Sequence, residues 1–281
     1  MGEISGPSAQ QSQANREVRG FFAKEDRILN DIAGGSVFTF RRGNQWAIDP
    51  EKGEATYDPT FFEDHGYTPS QALFGAFHEI RAHLVETAEL MDRHGGEREW
   101  QRLKAREKKI PWLHIWENHR TDIKGNRAII SFAPSLAADM SSLYQDKLWP
   151  VSDFTDKPRH VQFMDAVLRK AMLPDEPVTI DPDVQEAINK LHYVRGKDVL
   201  ELATNPRQDP LLALRLSQRY IEPVIKGLYD KDLEDKKNQK QKGDGKGEAS
   251  DSQGDSSDSE PSQSGDTGSQ SGNPFEDEYK E

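Results

Sequence analysis

The first chemical signal in this sequence is the run Phe77-His78-Glu79-Ile80-Arg81-Ala82-His83. Two imidazoles on one face of a helix can share a metal ion, and a carboxylate beside the first can take a proton from a water on that ion. The usual spacing for such a pair is four residues, His-Glu-x-x-His. Here it is five, and Ala82 stands where the second histidine would be. A five-residue step on a regular α-helix turns two side chains about 140° apart. His78 and His83 therefore converge only if a π-bulge takes up the extra residue, a distortion that recurs at functional sites. The competing reading is an ordinary amphipathic helix. With Leu73 at the centre of its apolar stripe, Glu79, Ala82, His83 and Glu86 lie on the opposite half and His78 at the edge.

A metal site needs a third ligand. The chain has no cysteine, so any ion must be held by His, Asp or Glu, and a disulfide scaffold and a thiol nucleophile are both excluded. Downstream, Trp116-Glu117-Asn118-His119-Arg120-Thr121-Asp122-Ile123-Lys124-Gly125-Asn126 offers a second helix rich in ligand-grade side chains, with Asn118 and Asp122 four apart on one face. Glu79, His83 and Glu86 also share a face, but such a cluster is more often a solvated helix surface.

The elements around these residues read as follows. Thr68-Pro69-Ser70-Gln71 predicts a helix start, with Thr68 as N-cap, Pro69 in the first turn and Gln71 completing a capping box. That helix should run to about His94 and end at Gly95-Gly96. Further helices are expected near 97–108, 112–124 with Gly125 as a stop, 135–147, 158–172, 182–191 and 209–237. Ahead of them, Ser36–Phe40 and Gln45–Ile48 flank a Gly-Asn turn and predict a β-hairpin. A third short strand at Ala55-Thr56-Tyr57 would complete a small antiparallel sheet. A helix over 16–32 is expected upstream, and residues 1–15 are Ser/Gln/Gly-rich and expected to be disordered.

Charge divides the chain unevenly. Residues 241–281 carry eleven Asp/Glu against three Lys, so −8 of the net −12 belongs to a tail and −4 to the body. The stretch 236–281 is Lys/Asp/Gly- and then Ser/Gly/Asp-rich, with no aromatic between Tyr229 and Phe275. It is expected to be a disordered acidic tail or linker. No basic stripe suggests nucleic-acid binding. No apolar run approaches a membrane span and the N-terminus lacks a secretory h-region, so a cytoplasmic location is expected.

The five-residue spacing resembles the variant His-Glu-x-x-x-His motif of the dipeptidyl peptidase III family, and Glu117–Asp122 is similar in outline to the segment that supplies that family's third zinc ligand. A second resemblance is closer in architecture. Bacterial proteins with a predicted zincin-like metallopeptidase domain ahead of a von Willebrand factor A domain carry a His-Glu helix. A Trp-Asn-x-x-x-Asp-x-x-x-Asn helix and an acidic Gly/Ser-rich linker follow it. The spacing Asn118-x-x-x-Asp122-x-x-x-Asn126 and the tail from Lys236 look like these, and the match spans about residues 55–130 plus the linker.

This resemblance implies an α+β, mostly helical fold with a zincin-like core over 16–235. It also implies a zinc ion held by His78, His83 and Asp122, with Glu79 as general base. Glu117, Asn118 and His119 stand as alternative third ligands or as partners that orient the ligands, and Arg120 or His119 as stabilisers of an oxyanion. The implied activity is peptide-bond hydrolysis on a peptide or protein substrate, with a separately encoded von Willebrand A protein as a possible partner. The alternative from a different class is a catalytically inactive zincin-like module used for protein interaction.

Overall fold

The structure is a computed structural model that describes residues 39–49, 52–58, 60–243 and 274–279. The expected helix over 16–32 and the disorder expected over 1–15 lie outside the described residues. Three strands open the described chain: β1 (Thr39–Arg42), β2 (Ala47–Asp49) and β3 (Glu54–Tyr57). Their order is β1-β3-β2, with β3 parallel to β1 and antiparallel to β2. The sheet is therefore mixed, and the expected antiparallel hairpin between β1 and β2 does not form, because β3 lies between them. Burial explains this. On β3, Ala55 and Tyr57 are sealed from solvent while Glu54 and Thr56, which alternate with them, are half-exposed, so β3 gains most from the central place. Gly43 follows β1 and donates its N–H to Tyr57 O. A Cβ there would come within 3.3 Å of Thr56 Cβ. The turn is thus pinned against β3 rather than closing a hairpin.

After a short helix α1 (Phe61–Asp64), the Thr68 capping box forms as the sequence expects. Thr68 Oγ1 accepts from Gln71 N at 3.2 Å, and Gln71 Oε1 accepts from Thr68 N at 3.0 Å. This anchors α2 (Pro69–His78), which passes through a π-helical turn (Glu79–Val85) into α3 (Glu86–Asp92) without a break. The helix stops where Gly95 adopts a left-handed φ of 79°. There follow α4 (Gly96–Glu107), α5 (Leu113–Phe132), α6 (Ala137–Leu143), α7 (Arg159–Met172), α8 (Pro182–His192), α9 (Val199–Ala203), α10 (Pro210–Leu216) and α11 (Glu222–Gly243). Two further π-turns follow among the described residues: Tyr144–Leu148 continues α6, and Ser217–Ile221 joins α10 to α11.

The fold is α+β and mostly helical, and one apolar cluster runs through it from Phe40 to Leu228. The π-turn packs along α5, α5 along α7, and α7 along α11. Trp112 and Trp116 are buried in this core. Gly125 is not a stop: α5 continues past it for nearly two more turns, for a reason that the site makes plain. Two parts of the expected disordered tail are also placed. Residues 236–243 extend α11, and Glu276–Tyr279 form a 3-10 turn whose neighbour Phe275 is 1 % exposed. Aromatic area is what the intervening sequence lacks and this short segment has. Among the described residues no helix is long and apolar enough to cross a membrane.

Candidate metal centre

The extra residue between His78 and His83 is absorbed by the π-turn. The two imidazole rings come to 5.4 Å between centroids, nearly perpendicular at 87°. Both Nε2 atoms face the same carboxylate on α5, at 3.6 Å from Asp122 Oδ1 for His78 and 3.4 Å for His83. The donor atoms of His78, His83 and Asp122 all lie within 4.8 Å of one another. Asp122 Oδ1 is buried and has no hydrogen-bond partner among the described residues. A buried carboxylate oxygen left without a partner is costly unless a cation or proton satisfies it. With two imidazoles turned on the same point, it fits a metal ion. The three side chains remain 16–27 % exposed, so the cluster can be reached from solvent.

The bulge has room because of Gly125. A Cβ on that residue would stand 2.6 Å from both Cα and Cβ of Ala82 and 2.9 Å from Ala82 N. The residue that the π-turn pushes outward thus presses its backbone onto α5 where no side chain intervenes. This is why a glycine sits in mid-helix and why Ala82 is small.

A second set of contacts orients the first ligand. His78 Nδ1 lies 2.7 Å from Asn126 Oδ1. The amide of Asn126 is set by its own nitrogen, which donates to Tyr144 Oη at 2.8 Å and contacts Met172 Sδ at 3.2 Å. Its oxygen can only accept, so the proton of His78 sits on Nδ1 and the lone pair of Nε2 points at Asp122. That is the tautomer a metal ligand requires. Burial alone would push the His78 imidazole down. The carboxylates of Asp122 and Glu79, with the Asn126 contact, hold it above the ordinary histidine value, as expected where the local field favours a cation.

The other residues singled out by the sequence fall as follows. Glu79 follows His78 directly and lines a cleft of about 210 Å³ with Trp46, Ala47, Thr56, His83 and Asn118. Asn118 contacts His114 at 3.4 Å and lines the cleft beside His83. Glu117 is buried and turned away: it accepts from Arg120 Nε at 2.9 Å and from Ser217 Oγ at 2.9 Å. His119 is buried against Trp149, with Nε2 3.4 Å from Asp165 Oδ1. Arg120 is tied to Glu117 and approaches Glu86 at 3.7 Å. Neither Glu117 nor His119 belongs to the donor cluster, which consists of His78, His83 and Asp122. Glu86, which the sequence groups with Glu79 and His83, instead receives Lys124 Nζ at 2.6 and 2.8 Å.

Tyr144 and Met172 had no signal in the sequence; only the packing of α6 and α7 brings them to Asn126. The edge strand beside the cleft is β2, whose Trp46–Ala47 end lines it, and not Ala55–Tyr57, which is central. A larger cleft of about 670 Å³ continues on the far side of His83 and Asn118, lined by Trp100, Lys104, Glu107 and Thr121 among others. Together these features define a mostly helical α+β chain with a helix-borne two-histidine, one-carboxylate centre that could hold a metal ion. Comparison with protein-family models, curated proteins and solved structures finds no match to this chain.

Proposed function

We propose that this chain is a zinc-dependent metallopeptidase of zincin-like organisation. The observation that carries the reading is the convergence of His78, His83 and Asp122 through the π-turn, with Asp122 Oδ1 otherwise unsatisfied. Two imidazole nitrogens, one carboxylate and an open position make the donor set of a hydrolytic zinc site. The same set also suits ferrous iron, and the position of Glu79 favours hydrolysis. Zinc, when bound, supplies Lewis acidity that makes a neighbouring water nucleophilic near neutral pH.

Glu79 lines the cleft beside His83 and would take the water's proton as the water oxygen attacks the peptide carbonyl carbon. It then hands that proton to the amine nitrogen as the C–N bond breaks. Substrate reach is supported by β2. Among the described residues its one neighbour in the sheet is β3 and its other side is an edge, and Ala47 lines the same cleft as Glu79. An extended peptide adding to that edge would lie along the cleft.

The test is hydrolysis of a mixed peptide library by zinc-reconstituted protein, read by mass spectrometry, with Glu79→Gln alongside. Cleavage that a chelator stops and zinc restores is expected, falling at least about 10²-fold in Glu79→Gln while metal content is unchanged. Cleavage that survives in Glu79→Gln would refute the assigned base. A chain that holds zinc and cleaves nothing would be the inactive interaction module. A cytoplasmic location and a von Willebrand A partner remain part of this proposal on the resemblance alone.

A further inference from the structure

The described residues at the C-terminal end return to the body after residues 244–273, a Gly/Ser/Asp-rich stretch. Phe275 is inserted among the rings of His160, at 5.0 Å, and Tyr229, at 5.6 Å, both edge-on. Lys236 Nζ lies 3.8 Å above the Phe275 ring and donates to Pro274 O at 2.6 Å. Tyr279 Oη meets His160 Nε2 at 2.8 Å. The receiving side is built rather than incidental. His160 is completely buried, and its Nδ1 and backbone N both donate to Asp232 Oδ2, at 2.7 and 3.1 Å. With Nδ1 carrying the proton for Asp232, Nε2 is left to accept from the Tyr279 hydroxyl.

We propose that the start of α7 and the middle of α11 form a recognition site for a short linear motif. The motif is Pro-Phe, three acidic residues and Tyr, and this chain's own residues 274–279 occupy the site in cis. Pro274, Phe275 and Tyr279 each have a counterpart on the receiving side. Phe275 fills the aromatic slot, and Lys236 reads the preceding carbonyl and the ring face. The Tyr279 hydroxyl completes the hydrogen bonds of a buried histidine.

The connection permits it. Lys236 lies seven residues before Gly243, so the docked Pro274 stands about 10 Å back along α11 from the helix end. Thirty residues of chain can extend up to about 100 Å. A motif tethered in this way meets its site at about millimolar effective concentration. It therefore holds the site shut against free peptide without needing high intrinsic affinity. A competing motif of the same kind would displace residues 274–279 from the site. The inference stands whether or not the chain is a peptidase.

The experiment is NMR on the full chain, following the ring protons of His160 in wild type and in Phe275→Ala. A synthetic peptide spanning Gly272–Glu281 is then added to each. Loss of the edge-on ring shifts the His160 signal in Phe275→Ala, and the peptide restores it. A peptide with alanine at the Phe275 position binds at least tenfold more weakly, and wild type resists exchange until the peptide approaches millimolar concentration. A Tyr279→Phe chain, which keeps the ring, changes only the His160 Nε2 environment and admits peptide more readily than wild type. An unchanged His160 signal in Phe275→Ala would overturn the proposal, as would failure of millimolar peptide to restore it. A wild-type signal that varies with protein concentration would assign the occupant to a second copy and overturn docking in cis.

Discussion

Glu86→Gln is expected to cost about 3–5 kcal/mol of folding stability. Glu86 stands on the first turn of α3, and both of its oxygens receive Lys124 Nζ. The Lys124 and Glu86 side chains are 5 and 11 % exposed. Arg120, 3 % exposed, leans on the same carboxylate from 3.7 Å and on Glu117 from 2.9 Å. Two buried cations thus share two buried anions. Removing one anion leaves a buried cation uncompensated. Burial pushes Lys124 below the ordinary lysine value, with Glu86 opposing that shift. Urea unfolding of the variant measures the loss. A double variant with Lys124→Met should recover most of it, since the pair then disappears as a unit. A loss under about 1 kcal/mol for Glu86→Gln would mean that the cluster is wet and contributes little.

The second large effect is at Gly125. In an exposed helix interior Gly→Ala stabilises by about 0.5–1 kcal/mol, and Gly227 in α11, with nothing within 4 Å of an added Cβ, should behave that way. Gly125→Ala should do the reverse. Its methyl group would enter the space already filled by the backbone of Ala82, at 2.6 Å from Cα, and backbone cannot rotate away. Overpacking of this kind costs about 1–3 kcal/mol. The strain falls on the π-turn that brings His83 to Asp122, so metal affinity should drop as well, by at least tenfold. Thermal melts and zinc titration of Gly125→Ala and Gly227→Ala separate the two. Equal behaviour of both variants would contradict the account of the bulge.

What the sequence reveals and what it hides follow from the range of each interaction. The Thr68–Gln71 capping box and the helix starts at Pro182 and Pro210 are set by residues a few positions apart, and all were legible. The candidate ligands were legible as residue types, yet their convergence was not. A five-residue spacing predicts divergence on a regular helix, and only the neighbouring helix decides whether a bulge is favoured. Gly125 illustrates the ambiguity, because a glycine in mid-helix can end the helix or admit a close neighbour, and the neighbour, Ala82, is 43 residues away. The strand order was hidden for the same reason, since β3 takes the centre through burial of Ala55 and Tyr57 rather than through any turn signal. The docked segment at Phe275 lay beyond local reading because its partners, His160 and Tyr229, belong to helices far upstream.

The central claim is that the π-turn makes His78, His83 and Asp122 one metal centre. Metal content by mass spectrometry, on protein purified without a histidine tag and then supplied with zinc, tests it most directly beside His83→Ala and Asp122→Ala. The account predicts about one ion per wild-type chain and loss of that ion in both variants. No metal in wild type, or metal retained unchanged in both variants, would contradict it.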